Sequence, residues 1–160
     1  MKVTTNYSIE KKRVEKFQLA GILVRSKTAL DVQNDIGLLW HRFQTEKIAE
    51  KIQNKLSDDI FCAYTAYESD YKGRYTTFIG CKIPLTENCP AGLELLVVQS
   101  ADYQVYSQTG KVPEIVIEMW SEIWSSPIPR AYQTDFDVYS SHSLSPDEVS
   151  VQTFVSIIPT

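Results

Sequence analysis

Ile36-Gly37-Leu38-Leu39-Trp40-His41-Arg42-Phe43 sets Ile36, Leu39, Trp40 and Phe43 at i, i+3, i+4 and i+7, the spacing of one apolar helix face. Ile48, Ile52 and Leu56 carry the stripe onward at steps of four after a shift, so the helix is expected to break near Thr45. The pattern returns in the second half. Ile115, Val116, Met119, Trp120, Ile123 and Trp124 make a broad apolar face, with Glu114, Glu118 and Glu122 as the opposite stripe. Gly110 and Pro113 introduce this helix, and Pro127 and Pro129 stop it. Trp40 and Trp120 stand 80 residues apart in a chain of 160.

Working outward, each helix has strands on both sides. Residues 19–24 form a short, partly β-branched apolar run before the first helix. Residues 61–67 and 74–83 follow it, rich in Tyr, Phe, Thr and Ile, with Lys72-Gly73 as the turn of a hairpin. Residues 93–98 and 103–107 precede the second helix, and residues 131–139 and 149–158 follow it across a Ser-, Pro- and Asp-rich loop. The first sixteen residues read as an exposed start or an edge strand. Strand, helix and hairpin thus occur twice, an internal duplication. Its expected equivalences are Ile36, Trp40 and Phe43 with Val116, Trp120 and Ile123, Tyr67 with Tyr139, and Cys81-Lys82-Ile83-Pro84 with Ser156-Ile157-Ile158-Pro159. The predicted fold is α+β: one domain over 1–160 built of duplicated β-α-β-β units, about 17–86 and 92–160. An antiparallel sheet carries two main helices on one side, and the units enclose a cleft on a pseudo-twofold axis.

Composition narrows the function. With 43% apolar, 22% charged and 11% aromatic residues, the chain is an ordinary globular protein, not a disordered, collagenous or coiled-coil one. No apolar run approaches the roughly 20 residues that span a bilayer, and the first six residues do not read as a secretory signal. A cytoplasmic location follows as the expectation. Cys62, Cys81 and Cys89 are then expected to be reduced, buried filler. A net charge of −4 argues against broad phosphate neutralisation. The charge is uneven: 14 Lys and Arg against 10 Asp and Glu in residues 1–86, but two against ten in 87–160, so the second half attracts cations.

Familiar catalytic patterns are missing. His41 and His142 are the two available imidazoles, one on the polar side of the first helix and one in a Ser-rich loop, and both read as solvated. There is no Gly-x-Ser-x-Gly, Cys-x-x-Cys, His-x-x-x-His or phosphate-cradling glycine loop. No catalytic residue, metal ligand or cofactor is assigned. What stands out is aromatic and acidic: nine Tyr, six Phe and three Trp. Tyr64, Tyr67, Tyr71 and Tyr75 crowd the first hairpin, and Trp120, Tyr132, Phe136 and Tyr139 the second half. Buried tyrosines need hydroxyl partners, so such clusters suit an amphipathic cavity. In Asp135-Phe136-Asp137-Val138-Tyr139, the strand period of two puts Phe136 and Val138 on one face and Asp135, Asp137 and Tyr139 on the other. An exposed strand face would produce the same pattern.

Three stretches together resemble the stand-alone members of the GyrI-like family, the effector-binding domains also fused to AraC-type and MerR-type regulators. They are residues 35–43, residues 63–76 and Asp135-Phe136-Asp137-Val138-Tyr139. The resemblance implies a duplicated β-α-β-β fold cradling a hydrophobic ligand, often a lipophilic cation held by aromatic faces and one buried acid. That acid is usually a glutamate two residues after an aspartate; here Asp137 stands in its place, one methylene shorter. The candidate ligand-binding residues are Trp40, Tyr67, Tyr75, Trp120, Asp137 and Tyr139. A helix-turn-helix reader is not expected, so direct DNA binding is not expected, nor is a membrane. The expected partner is a hydrophobic or cationic small molecule. The alternatives are a hydrolase of small reactive, cyclopropane-bearing compounds that uses the same acid, and a protein inhibitor of a topoisomerase; a regulator or a topoisomerase is then the expected protein partner.

Overall fold

The computed structural model describes residues 7–141, 145 and 147–159. Along the chain lie β1 (Ser8–Val14), β2 (Phe17–Arg25), a 3-10 turn (Ala29–Asp31), α1 (Val32–Thr45), the single turn α2 (Ile48–Lys51), β3 (Ile60–Thr65) and β4 (Thr76–Ile83). The second half runs β5 (Glu94–Val98), β6 (Ala101–Gly110), α3 (Glu114–Ser125), β7 (Asp135–Tyr139) and β8 (Val149–Ser156). Lys47, in the left-handed region at φ 50°, separates α1 from α2, so the helix breaks where its apolar stripe shifts. No helix among the described residues is long and apolar enough to cross a membrane.

All strand pairs are antiparallel, in the order β1-β6-β8-β7-β3-β4-β2-β5. Exchanging β1 with β5, β2 with β6, β3 with β7 and β4 with β8 reverses that order and leaves every pairing intact. The fold is therefore α+β and its pairing scheme is duplicated. β1 pairs β6 up to Val14↔Ala101 and β2 pairs β5 from Phe17↔Val98, so the two pairs are one ribbon bent at residues 15–16 and 99–100. Because the ribbon joins opposite ends of the strand order, the sheet must curl. Phe17 on β2 and Phe136 on β7 accordingly have ring centroids 5.3 Å apart, although two strands intervene and a flat sheet would separate them by about 14 Å. Gly21 and Gly80 face each other in β2 and β4, where a Cβ on either would run into the opposite backbone.

Curling creates two cores. Inside the curl, Phe17, Phe61, Phe78, Tyr103, Phe136 and Phe154 pack together. On the other face, α1 and α3 contribute Leu39, Phe43, Met119, Trp120 and Ile123 to a second cluster with Cys62, Tyr64, Ile79 and Val155. β7 alternates as expected, with Phe136 in the first cluster and Asp135 and Asp137 fully buried toward the second.

Several expectations are corrected. β3 and β4 are shorter than predicted, and a ten-residue connection, 66–75, replaces the tight Lys72-Gly73 hairpin. β7 begins at Asp135 instead of residue 131, because residues 131–134 approach the site irregularly. Cys62 and Cys81 are buried and free, but Cys89 is exposed, its thiol donating to the Leu93 carbonyl. Two duplication equivalences also shift. Trp40 meets Tyr139 edge-on (5.1 Å, 77°) as Trp120 meets Tyr64 (5.4 Å, 80°), so the counterpart of Tyr139 is Tyr64, while Tyr67 lies beyond the end of β3. Cys81 and Val155 both face the helices, which makes Val155, not Ser156, the match for Cys81. Trp40 and Trp120 do occupy equivalent places.

Candidate ligand-binding site

α1 and α3 lie side by side on the sheet without filling the space between them, and a cavity of about 300 Å³ remains. α1 lines it with Gln33, Ile36, Gly37 and Trp40; α3 and the residue before it do so with Pro113, Val116, Ile117, Trp120 and Trp124. The sheet supplies Tyr64 and Tyr139, the 66–75 connection Tyr67, Tyr71 and Tyr75, and the segment before β7 supplies Arg130. Tyr75 stands edge-on to both Tyr64 (5.9 Å) and Tyr67 (5.4 Å). Tyr71 stacks on Trp124 at 5.4 Å and 10°. The walls are thus mainly apolar and aromatic with a few hydroxyls, the character of a small-molecule site.

Asp137 lies behind this surface, fully buried. Its Oδ2 accepts from the Tyr64 hydroxyl (2.8 Å) and the Trp120 indole N–H (3.1 Å), and its Oδ1 from the Thr153 hydroxyl (2.6 Å). Burial pushes its carboxyl up to about 6, against the pull of these three hydrogen bonds, and the nearby Asp135 adds to the rise. No basic group pairs with it among the described residues. Burial also pushes the Tyr64, Tyr67 and Tyr139 hydroxyls well up, and Tyr75 to about 12, so all four remain protonated donors. Cys62, the cross-strand partner of Asp137, is likewise pushed up by burial and donates to the Tyr64 oxygen.

Asp135, two residues earlier on the same face, is also fully buried but has a cationic partner. Arg130 Nη2 lies 2.8 Å from its Oδ2, and the Tyr67 hydroxyl donates to the same oxygen at 2.6 Å. Oδ1 accepts from the Ser156 amide (2.6 Å) and hydroxyl (2.8 Å). The guanidinium sits over the ring of Tyr132 at 4.3 Å and near those of Trp120 and Tyr67, at 5.7 and 6.0 Å.

Of the residues expected at the site, Trp40, Tyr67, Tyr75, Trp120 and Tyr139 line the cavity. Asp137 does not line it; it bonds from behind to Tyr64 and Trp120, which do. The sequence reading left out Tyr64, Tyr71, Trp124, Arg130 and the aliphatic wall. The i, i+4 relation of Trp120 and Trp124 was a usable signal for the last turn of α3; nothing local marks the pairing of Arg130 with Asp135. His41 is exposed, and His142 lies outside the described residues. No group of acidic, His or Cys side chains able to hold a metal occurs among the described residues.

The same architecture occurs in known proteins. The integron cassette protein VCH_CASS2 from the mobile metagenome of Vibrio cholerae is 29% identical at a TM-score of 0.67, covering 92% of this chain and 95% of that one. YobU of Bacillus subtilis (strain 168), a candidate transcriptional regulator by name, is 27% identical over 146 residues, 88% of this chain and 91% of its own. SAV2435, solved with tetraphenylphosphonium bound, shares the fold at a TM-score of 0.77 over 94% of both chains, with 16% identity. Residues 10–157 match the family described as integron-associated effector binding protein, Cass2. A match running from β1 through β8 and taking in every wall of the cavity means that this chain belongs to the Cass2 family of integron-associated effector-binding proteins, a GyrI-like family.

Proposed function

We propose that the effector is a lipophilic organic cation seated between α1 and α3, with Asp137 as its counter-charge acting through Tyr64 and Trp120. One observation carries this reading: a fully buried carboxylate, without a basic partner among the described residues, is hydrogen-bonded to two side chains of the cavity wall. An isolated buried carboxylate costs several kcal/mol, which a cation in the adjoining cavity offsets. Each cation–π contact contributes about 0.5–2 kcal/mol, so two or three rings together with apolar burial reach micromolar affinity. Tetraphenylphosphonium, the ligand of SAV2435, is a cation of this class and supports the reading. The name of YobU supports a regulatory use of the occupied state. The hydrolase reading gains no observation of its own, because Asp137 does not line the cavity and both its oxygens are engaged.

Trp40 and Trp120 make occupancy readable by fluorescence. Tetraphenylphosphonium is expected to quench their emission saturably in the micromolar range, and neutral triphenylphosphine oxide to bind at least about tenfold more weakly. Equal affinity for the two overturns the cation reading.

A further inference from the structure

The two carboxylates that β7 turns toward the helices share two kinds of partner; Asp137 adds the Trp120 indole N–H, and Asp135 adds the Ser156 amide and a cation. Each accepts from a tyrosine of the cavity wall, Tyr64 on Asp137 and Tyr67 on Asp135, and each from a β8 hydroxyl, Thr153 or Ser156. Asp135 alone has a cation. The Arg130 side chain is 5% exposed, and its Nε and Nη1 make no hydrogen bond. It is held by one carboxylate and the rings of Tyr132, Trp120 and Tyr67, the surroundings that suit an organic cation. Tyr132 adopts a left-handed φ of 53° in presenting its ring, a conformation disfavoured for a bulky residue and tolerated where the surroundings impose it.

We infer that Arg130 is a resident cation filling the second of two adjacent cation subsites, and that it restricts the effector to a single positive charge. The inference rests on the cation reading above. With Asp137 ionised, two carboxylates and one guanidinium leave one negative charge, which a monocation balances and a dication exceeds. Residues i and i+2 of a strand lie about 7 Å apart, the same order as the roughly 6 Å between two para substituent atoms on benzene. Without Arg130, the pair of acids is matched to such a dication.

The test uses two probes of one shape, 4-tert-butylphenyl-trimethylammonium and 1,4-phenylene-bis(trimethylammonium), titrated calorimetrically at pH 8. Wild-type protein is expected to prefer the monocation by about tenfold. Arg130→Met should move the preference toward the dication by about a hundredfold, Arg130→Lys should retain the wild-type order, and Arg130→Met with Asp135→Asn should restore it. Asp135→Asn alone, which leaves the site without net charge, should cost the monocation about tenfold and serves where Arg130→Met does not fold. Unchanged preference in folded Arg130→Met overturns the inference, as does a double variant that still favours the dication, or an Asp135→Asn protein that binds the monocation like wild type. Wild type binding neither probe would instead bring down the cation reading, and this inference with it.

Discussion

The two faces of β7 are one residue apart in sequence and opposite in chemistry. On the inner face, Phe136 stacks on Phe154 at 4.5 Å and 14° and meets Phe17 and Tyr103 edge-on at 5.3 Å, in an aromatic core. On the outer face, the same strand buries two carboxylates beneath a hollow. The inner face is filled for stability, and the outer face accepts desolvated charge and empty volume, both of which weaken a fold. A sheet can support an unfilled, charged side where its other side is densely packed.

Substitutions test that division most severely on the packed face. Phe136→Ala should cost about 4 kcal/mol of stability by urea denaturation, from lost burial and the cavity left behind. A loss below about 1 kcal/mol would show that the inner face is not the face that holds the sheet together. Next in size, Asp135→Asn should cost about 3 kcal/mol, because it leaves Arg130 buried without its carboxylate.

The pH dependence of stability isolates Asp137. Its carboxyl is raised from 3.8 to about 6 in the folded state, so between these values the native protein holds the proton more firmly than the unfolded chain. Its contribution therefore falls as pH rises through this window, by up to about 3 kcal/mol, and the penalty is complete above it. Thermal melts at stepped pH, wild type against Asp137→Asn, should differ by this slope; parallel curves would show that Asp137 is not the group responsible. The smallest expected effect sharpens the functional side. Asp137→Asn should lower affinity for tetraphenylphosphonium by about 1–3 kcal/mol at pH 8 while stability holds or rises, and neutral ligands should lose little. Wild-type affinity for the cation should likewise weaken as pH falls through about 6, since the protonated acid carries no counter-charge.

Much of this was legible before the fold was known, wherever the signal was periodic and local. The i, i+3, i+4, i+7 spacing around Trp40 and Trp120 gave both helix faces, the shift after Phe43 pointed to a break near Thr45, where α1 ends, and strict alternation put Asp135 and Asp137 opposite Phe136. Steric repeats of 3.6 and 2 residues act within a few neighbours and leave their mark in the chain. The repetition of one such unit was enough to predict an antiparallel α+β fold. What stayed hidden depends on contacts between distant residues. Tyr64 reaches Asp137 across 73 positions and Tyr67 reaches Asp135 across 68, and which tyrosine matches Tyr139 is set by where β3 stops. The direction in which the curled sheet brings β2 against β7, the space left between two helices, and the choice of Asp135 over Asp137 by Arg130 are outcomes of packing. No local spacing encodes them, because each is decided by which surfaces meet once the halves close on one another.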